Sequence, residues 1–401
     1  MRKLRKRIVG LMGCTVNNKN LGCMALSYSL VNCINEIAKK ESIDVEFVFF
    51  DNSATNTAIT KLRNQLGLLD NQAIIAKALE WDFHTLKAVG RTIKHLPDTM
   101  KSLQIIKSCD FIVDLTQGDS FSDIYGQDRF YRWTGAKALV EKTKIPLVLG
   151  PQTYGPFFDD KVKKFAKSVI EAAAIVIARD EESKEYVESF CSKSVLSTTD
   201  LAFMLPYKKA DIGAQSKIRI GINPSGLLCR NKTDDSSFDS KFKTDYEKYM
   251  NHIIDWLKKQ QSYEIHMISH VGNEAIDSMG GIDGVIYHQE CATPIEVKTL
   301  ISSMDIFVGA RMHATIGAVS SGVATIPVAY SRKFSGLYGS LGYPYIIDLQ
   351  SLDTDKAIEL TKEYISGYIQ LQSAARDIRS EIQIKTNLTQ EIFRDLLRRE
   401  I

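Results

Sequence analysis

Short runs of β-branched and apolar residues alternate with helical patterns along most of this 401-residue chain. Such alternation is typical of βα units packed around a mainly parallel sheet. In the first half, strands are predicted at Arg7–Cys14, Val45–Asp51, Phe111–Thr116, Pro146–Gly150, Ala174–Arg179 and Val195–Thr198. In the second half, they are predicted at Ile218–Asn223, Tyr263–Val271, Val285–His288, Ile306–Gly309, Thr325–Tyr330 and Tyr345–Leu349. The chain is therefore predicted to be an α/β protein with two successive open sheets.

A polar segment that contains Pro and Gly, residues 206–217, separates the two series and indicates a domain boundary. We expect an N-terminal Rossmann-like domain over 1–207, a C-terminal Rossmann-like domain over 216–380 and a C-terminal helix over 381–401. Ligands of open α/β sheets bind at the carboxyl ends of the strands, so the expected site is a cleft between the two carboxyl edges. Further helices are predicted over Cys23–Ile37, Tyr246–Lys259, Ile295–Ser303 and, without a break, from Asp353 onward. Residues 52–97 give no clear elements.

Composition excludes several classes of protein. The 51 basic and 48 acidic residues give a formal charge of +3, which provides no global field for nucleic acid. Seven cysteines, an odd number without C-x-x-C spacing, favour a reducing compartment and disfavour a structural zinc site. Neither G-x-G-x-x-G nor G-x-x-x-x-G-K-[ST] occurs, so a dinucleotide fingerprint and a P-loop are both disfavoured.

Two segments could be mistaken for targeting or membrane signals. The basic N-terminus and Cys14 superficially resemble a lipoprotein signal, but only the six residues Ile8–Gly13 lie between them. An apolar signal region usually needs about 7–15 residues. We therefore expect a buried first strand, an uncleaved N-terminus and no lipid on Cys14, with a membrane contact of residues 2–7 left open beside a solvated tail. The uncharged segment Met312–Tyr330 contains Gly and Pro and predicts helix, turn and strand rather than a membrane span.

The strongest local signal for chemistry surrounds Arg311 and His313. An apolar strand ends at Gly309, both residues fall in the strand-to-helix turn, and a helix of small residues follows. Backbone N–H groups at a helix start, a guanidinium and an imidazole together suit an anion. Arginine offers bidentate contacts to phosphate or carboxylate that lysine cannot copy. The structural alternative is an interdomain salt bridge and a hydrogen-bonded histidine.

Arg179 occupies the equivalent place in the first half, before a helix start that Asp180 and Ser183 would cap. A cation is unfavourable at a helix start, so Arg179 requires either an anionic ligand or a buried carboxylate. Lys333 follows a later strand and could reach the same cleft or lie in solvent.

Glycine-bearing turns follow three predicted strands, at residues 17–22, 116–120 and 150–156. Their convergence on one edge favours a functional role, although each turn alone is more often structural. His266 and His270 would lie about 13 Å apart along one strand, too far for one metal ion. No metal ion is therefore expected.

Taken in order, these segments resemble the polysaccharide pyruvyl transferase family from Asn20 to about Leu341. The matching pieces are Asn20-x-Gly22, Gly118–Ser120 with Asp123 and Tyr125, Gly150–Phe157, Arg179-Asp180-x-x-Ser183, Thr199-Asp200, Gly309–Ala314 and Tyr330-x-x-Lys333. Each piece is short, but their order makes the combination specific. The resemblance implies a two-domain GT-B-like fold and a cytoplasmic transferase, with a position at the inner face of the membrane left open. Its implied reaction forms a pyruvate ketal on a surface polysaccharide or its lipid-linked precursor.

The resemblance also implies roles for individual residues. Phosphoenolpyruvate would be the donor substrate, with no further cofactor, and Arg179 and Arg311 would hold it from facing domains, together with His313 and Lys333. The residues that would bind the acceptor are Asn20, Gly22, Gly118, Ser120 and Gln152. His313 is the candidate acid that protonates the enol carbon. Asp119 is the second catalytic candidate, as base for the acceptor hydroxyl.

Two departures from the family pattern concern the acceptor turns. Cys23 stands where many members have an acidic residue, and Gln117–Ser120 replaces a usual Gly-Gly-Gly-Ser. Two other functions stay open: a GT-B glycosyltransferase whose cleft arginine holds the pyrophosphate of a nucleotide sugar, and a non-catalytic glycan- or nucleotide-binding relative. Glu296 is a poor candidate for the ribose-binding acid that the glycosyltransferase would need. The sugar, the hydroxyls and the oligomeric state are not predicted.

Overall fold

The computed structural model describes residues 5–210, 213, 216–229 and 242–399, which form two compact units. Unit 1 contains the chain up to Asn18, Leu26–Met204 and the residues from Ile384 onward. Unit 2 contains Lys19–Ala25 and Leu205–Gln383. The division after Met204 falls just before the polar segment 206–217. The start of the first helix belongs to unit 2 and the end of the last helix belongs to unit 1. A return of the terminal helix to the first domain is compatible with the sequence but cannot be derived from it, and the place of Lys19–Ala25 in unit 2 was not predicted.

Unit 1 is built on a seven-stranded parallel sheet with the order β3-β2-β1-β4-β5-β6-β7. Its strands are β1 (Arg5–Met12), β2 (Ile43–Phe50), β3 (Ala73–Ala76), β4 (Phe111–Asp114), β5 (Leu147–Gln152), β6 (Ile175–Ala178) and β7 (Leu196–Ser197). Its helices are α1 (Leu21–Glu41), α2 (Asn56–Leu66), α3 (Leu86–Lys94), α4 (Leu96–Ile106), α5 (Gln127–Glu141), α6 (Asp160–Ala172) and α7 (Glu181–Glu188). Strand β1 is an interior strand between β2 and β4, which explains why its apolar run is continuous rather than alternating.

Unit 2 is built on a six-stranded parallel sheet with the order β10-β9-β8-β11-β12-β13. Its strands are β8 (Ile218–Asn223), β9 (Tyr263–Met267), β10 (Val285–Tyr287), β11 (Ile306–Gly309), β12 (Ala324–Ala329) and β13 (Ile347–Asp348). Its helices are α8 (Gly226–Cys229), α9 (Tyr246–Lys258), α10 (Glu274–Met279), α11 (Pro294–Ile301), α12 (Met312–Ser321), α13 (Arg332–Ser340), α14 (Thr354–Ser366), α15 (Tyr368–Asp377) and α16 (Arg379–Arg398), the last of which ends in unit 1. The predicted class, two parallel-sheet α/β domains, is confirmed.

The buried first strand is also confirmed. Val9 and Leu11 of β1 are fully buried, and Cys14 just after the strand is buried as well. The predicted apolar face of α1 is buried at Leu26, Leu30 and other positions spaced by three and four residues. Within the part of the chain that the structure describes, no helix has both the length and the apolarity to cross a membrane.

Three sequence-based assignments are wrong in detail. The strand predicted over Tyr263–Val271 ends at Met267, because Val271 pairs instead with Asn20 in an isolated bridge. Residues 150–152 belong to β5 rather than to a turn. The uninterrupted helix predicted beyond Asp353 is broken at Gly367 and Ile378, so the final helix begins at Arg379 rather than at residue 381.

Residues 52–97, which gave no clear elements, contain β3, α2, α3 and the start of α4. Strand β3 has only four residues, and its burial does not alternate. The buried positions of α3 are Ala88 and Thr92, and those of α4 include Thr99 and Ser102. Small and polar buried residues produce no apolar periodicity, so the sequence pattern could not reveal these helices.

Candidate active site

The segment that follows β11 starts helix α12 in unit 2. Arg311 is the N-cap residue with extended backbone, and it makes no side-chain cap hydrogen bond. His313 was predicted to lie in the turn before the helix, but it is the second residue of the helix itself. The first-turn N–H groups and the helix dipole favour an anion at such an end. The strand, Arg311 and helix therefore form the anion-suited arrangement that the sequence indicated.

The Arg311 guanidinium is paired with Glu274, the first residue of α10. Nε donates to both carboxylate oxygens at 3.2 and 3.0 Å, and Nη2 donates to Oε2 at 2.5 Å. Burial works against the charged form of Arg311, but the Glu274 carboxylate outweighs it and raises the pKa of the guanidinium. Both residues belong to unit 2, so the pair is not the interdomain salt bridge considered above. The pairing fixes the Nε–Nη2 edge and leaves Nη1 outside the fork.

Asn223, the last residue of β8, fixes the backbone at Arg311. Its Oδ1 accepts from the Arg311 N–H at 3.2 Å, and its backbone oxygen accepts from the Ala310 N–H at 2.9 Å. Its Nδ2 donates to the Ile268 carbonyl at 2.8 Å. One buried amide thus joins the ends of β8 and β11 to the loop after β9, and it holds Arg311 at the carboxyl edge of the sheet.

The start of α1 packs directly against His313. A Cβ added to Gly22 would lie 2.4 Å from His313 Nδ1 and 2.8 Å from its Cγ, so the contact requires glycine. Asn20 Oδ1 accepts from the Gly22 N–H at 3.0 Å. The Leu21 N–H donates to the His270 carbonyl at 3.1 Å. The structure therefore brings three of the predicted site residues together in unit 2: Asn20, Gly22 and His313.

His270 and Glu274 also belong to this site, and neither role was predicted from the sequence. His270 is buried in the loop after β9, and burial, together with the nearby His313 and Arg311, lowers its pKa to about 3. It is therefore a neutral imidazole beside a cation. The sequence placed His270 inside a strand and gave Glu274 no role. The Gly272 N–H bonds to the Lys19 carbonyl at 3.0 Å, a contact distant in sequence that local patterns cannot reveal.

Lys333 lies in the first turn of α13, and its Nζ is 5.6 Å from the centre of the Tyr330 ring. Tyr330 is buried at the end of β12 and lies within electrostatic range of Arg311. Lys333 is thus near a neighbour of Arg311, and its predicted contact with the donor stays a prediction.

Arg179 is enclosed in unit 1, directly before helix α7. Its Nη1 lies 2.9 Å from Asp200 Oδ2, and both side chains are buried. Asp180 caps α7, since its Oδ1 accepts from the Ser183 N–H at 2.7 Å. The sequence allowed either an anionic ligand or a buried carboxylate to balance the charge of Arg179, and the structure shows the buried carboxylate. A role in donor binding stays a prediction.

The turn that carries Gly118 lies against this arginine. A Cβ on Gly118 would be 3.1 Å from Arg179 Nη1 and 2.7 Å from Leu26 Cδ1. Thr116, Gln117 and Gly118 all have positive φ, at 42°, 53° and 91°. This region is strained for a β-branched residue such as Thr116. The Thr116 hydroxyl donates to Asp114, which lies 3.2 Å from the buried Lys137 Nζ, so an internal ion pair supports the strained turn.

The remaining predicted residues of unit 1 lie on or near this turn. Asp119 Oδ2 accepts from the Tyr125 hydroxyl at 2.9 Å, and Ser120 Oγ accepts from Arg129 Nη2 at 2.9 Å. Gln152 is fully buried within β5, and its Nε2 lies 3.4 Å from the Asp114 carbonyl oxygen. The acceptor role expected for Gln152 needs an exposed side chain, whereas here the amide belongs to the interior.

Comparison with known proteins identifies both family and fold. A family model described as polysaccharide pyruvyl transferase matches residues 20–332. UDP-GlcNAc 2-epimerase from Neisseria meningitidis, solved with UDP-GlcNAc, is 13% identical with a TM-score of 0.58, over 96% of this chain and 99% of that one. The S. aureus MnaA–UDP structure is 11% identical with a TM-score of 0.58, over 97% and 96%. Spinosyn rhamnosyltransferase SpnG is 9% identical with a TM-score of 0.52, over 96% and 99%. These likenesses confirm the GT-B-like fold.

Gly22→Ala tests the contact between α1 and His313. The new methyl group must displace the imidazole, so we expect a loss of about 1–3 kcal/mol in the free energy of unfolding. The NMR signals of the His313 ring should shift as well. Gly339→Ala is the matched control, because a Cβ there meets nothing within 4 Å. Unchanged stability and unchanged His313 signals in Gly22→Ala would contradict the contact.

His270 should make stability depend on pH. Its folded pKa, about 3, lies below the ordinary value of about 6.5, so acid favours the unfolded chain. The contribution of His270 to the free energy of unfolding is complete above pH ~6.5. Below that pH it falls by about 1.4 kcal/mol per pH unit, so that roughly 2 kcal/mol has been lost at pH 5. His270→Gln should lose this component when chemical denaturation at pH 7 and pH 5 is compared. His252→Gln, at an exposed position, should keep the wild-type difference, and equal differences in all three proteins would refute the assignment.

Proposed function

The chain belongs to the polysaccharide pyruvyl transferase family, and from this premise we propose that it transfers the pyruvate unit of phosphoenolpyruvate to sugar hydroxyls. The acceptor would be a surface polysaccharide or its lipid-linked precursor, and the product a pyruvate ketal. Cysteines 14, 33, 109, 191, 229 and 291 form no disulfide bond, which supports a reducing compartment, and we infer the cytoplasm.

The observation that carries the proposal is the Arg311 arrangement in unit 2. An arginine held by Glu274 stands at the start of α12 as its N-cap residue, and its own side chain makes no cap hydrogen bond. Phosphoenolpyruvate has a carboxylate and a phosphate, and an anion of this kind suits both a guanidinium and a helix N-terminus. Glu274 orients the guanidinium and offsets part of its charge. Arg311 can therefore bind the donor without being an uncompensated cation when the donor is absent.

The proposed reaction balances without another reactant. A proton adds to the methylene carbon of phosphoenolpyruvate, and the central carbon becomes oxocarbenium-like. A sugar hydroxyl forms a C–O bond to that carbon, the bond to the phosphate oxygen breaks, and inorganic phosphate leaves. A neighbouring hydroxyl then closes the ketal. The two hydroxyl protons balance the one added to the methylene carbon and the one that leaves with phosphate. This route uses no metal or other cofactor.

His313 is the candidate acid for the methylene carbon. The Gly22 contact fixes its ring, and an imidazole can deliver a proton near neutral pH, whereas arginine cannot. The competing role for His313 is a hydrogen bond to phosphate alone. Asp119, which accepts from the Tyr125 hydroxyl in unit 1, is the second candidate, as base for the acceptor hydroxyl. Its contact with the acceptor, like those of Gly118 and Ser120, is a proposal from the family resemblance.

Arg311→Lys tests the donor. Lysine keeps the charge but cannot reproduce the fork, and charged hydrogen bonds contribute about 1.5–3 kcal/mol, so phosphoenolpyruvate affinity should fall roughly ten- to hundredfold. The measurement is the rise of the unfolding midpoint with phosphoenolpyruvate concentration. Arg219→Lys, near the opposite end of β8, should retain wild-type affinity.

UDP- and GDP-sugars belong in the same series. The N. meningitidis epimerase binds UDP-GlcNAc, so a nucleotide sugar is the rival donor for this fold. If the unfolding midpoint rises with a nucleotide sugar and not with phosphoenolpyruvate, the proposed reaction is wrong and the chain is better explained as a glycosyltransferase. Unchanged phosphoenolpyruvate affinity in Arg311→Lys would remove Arg311 from the donor site.

His313→Asn separates acid catalysis from binding. If His313 is the acid, phosphoenolpyruvate affinity should stay within a few-fold while the single-turnover rate falls about a hundredfold or more. If it only binds phosphate, affinity and rate should fall together. His252→Asn, at an exposed position, should leave both unchanged. A His313→Asn variant that binds and reacts like the wild type would remove His313 from the mechanism.

A further inference from the structure

Helix α3, the segment just before it and the start of α4 expose large apolar side chains and bury mainly small or polar ones. The end of α4 is different, because Ile106 is buried and Leu103 packs against the core. The exposed fractions are 92% for Leu86, 65% for Ile93, 54% for Phe83, 52% for Met100 and 40% for Leu96. The side chains buried beneath them are Ala88, Thr92, Thr99 and Ser102. A surface helix of a globular protein normally shows the reverse arrangement. Exposed apolar patches of this kind mark sites of interaction.

Polar contacts on the inner side fix this orientation. The Thr92 hydroxyl donates to the Asp82 carbonyl at 2.9 Å and accepts from the Asp82 N–H at 3.0 Å. The Glu80 N–H donates to the Thr99 hydroxyl at 3.1 Å, and the Ser102 hydroxyl donates to the Lys77 carbonyl at 2.7 Å. Rotating α3 to bury Leu86 and Ile93, or α4 to bury Leu96, would break these buried bonds, so these apolar side chains stay outside.

Arg91 adds a second constraint on α3. Its Nε donates to Glu80 at 3.0 Å and its Nη2 to Asp82 at 2.8 Å. Both carboxylates are buried, so turning Arg91 outward would leave two buried charges without it.

Exposed lysines lie beside the apolar side chains. Lys87 and Lys94 are seven residues apart on α3, as are Leu86 and Ile93, so a lysine row runs next to the apolar row. Lys101 is exposed next to Met100 on α4. Between Leu86 and Ile106, Arg91 is paired with the buried carboxylates, which leaves three lysines against one acidic residue, Asp98. The exposed Asp128 lies within electrostatic range of Lys87 and offsets part of this excess. We name this surface the α3–α4 face; its members are Phe83, Leu86, Lys87, Ile93, Lys94, Leu96, Met100 and Lys101.

We propose that the α3–α4 face docks unit 1 on a bilayer that contains anionic lipids. Apolar side chains of an interfacial helix enter the boundary between headgroups and acyl chains, while lysines beside them reach the headgroups. The excess of lysine over acid on this face complements an anionic membrane surface. This contact is distinct from the basic segment 2–7 considered in the sequence analysis.

A second copy of the chain fits this face less well. A two-fold contact would place the same surface on both partners, so the lysine rows would meet like charges. Lysine is also depleted in protein interfaces, whereas it is favoured at membrane surfaces. The charge of the face therefore selects the bilayer as its occupant.

The test is sedimentation of the full chain with vesicles, either phosphatidylcholine alone or phosphatidylcholine with about one third phosphatidylglycerol. We expect binding to the anionic vesicles that weakens as salt is raised. Leu86→Ser/Ile93→Ser should reduce binding at least tenfold. Lys87→Gln/Lys94→Gln should reduce it about 25-fold, since each lysine near the surface contributes about fivefold.

Two matched variants serve as controls. Ile369→Ser/Ile384→Ser removes two apolar side chains that are 66% and 63% exposed elsewhere. Lys258→Gln/Lys259→Gln removes two exposed lysines at the end of α9. Both controls should bind anionic vesicles like the wild type. All substituted positions are exposed, and thermal unfolding checks that each variant is folded.

Three results would overturn the proposal. They are no binding of the wild type to anionic vesicles, equal losses in the face and control variants, or a concentration-dependent dimer that Leu86→Ser/Ile93→Ser abolishes. The last result would make a second copy the occupant. The assay contains neither phosphoenolpyruvate nor a glycan, so its outcome is independent of the proposed reaction.

Discussion

Pairing of a buried or largely buried arginine with a carboxylate of the same unit is the interaction on which both carboxyl edges depend. Arg311 pairs with Glu274 in unit 2, and Arg179 pairs with Asp200 in unit 1. Each arginine directly precedes a helix, where the dipole disfavours a cation. Removing one partner of a buried pair lowers the free energy of unfolding by about 3–5 kcal/mol, because the other charge is left buried without a partner. The two carboxylates are therefore needed for the stability of the fold, whatever role the arginines have in the proposed chemistry. The two pairs differ in exposure: the Arg311 side chain is 14% exposed and that of Arg179 is 1% exposed.

Other site residues are held by contacts that tolerate little change. Gly22 lets the α1 backbone touch the His313 ring, and Gly118 lets a strained turn lie against Arg179. In both cases a glycine is required by close approach to a side chain for which donor binding is predicted. If these side chains bind the donor as predicted, the interior already fixes their positions, and preorganisation of this kind lowers the cost of binding.

The sequence predicts the sheets and the ends of their strands better than it predicts the partners at the site. Strands β8 and β11 begin and end where the apolar runs predict, because both are central and buried on both faces. The place of Arg311 follows from the end of β11 alone. Glu274 and His270 could not be found in this way, because they reach the site through a loop whose register depends on the distant contact between Asn20 and Val271. Local patterns carry no information about such a pairing.

The region where hydrophobic patterning was weakest, residues 52–97, carries most of the α3–α4 face, although its helix α2 buries an ordinary apolar side that includes Ile59, Leu62 and Leu66. Periodicity locates a helix only when its apolar side faces the core, and α3 and α4 place Thr92 and Thr99 there instead. The feature that hid α3 and α4 from the sequence pattern is the same one that suggests the membrane contact. Apolar side chains that do not pack in the core leave no core periodicity in the sequence. Local rules that conflict with the structure are expected at functional sites, where the cost is retained for a purpose outside the fold. Leu86 and Ile93 contribute little to the packing of unit 1, so their exposure is best explained by a surface beyond the chain.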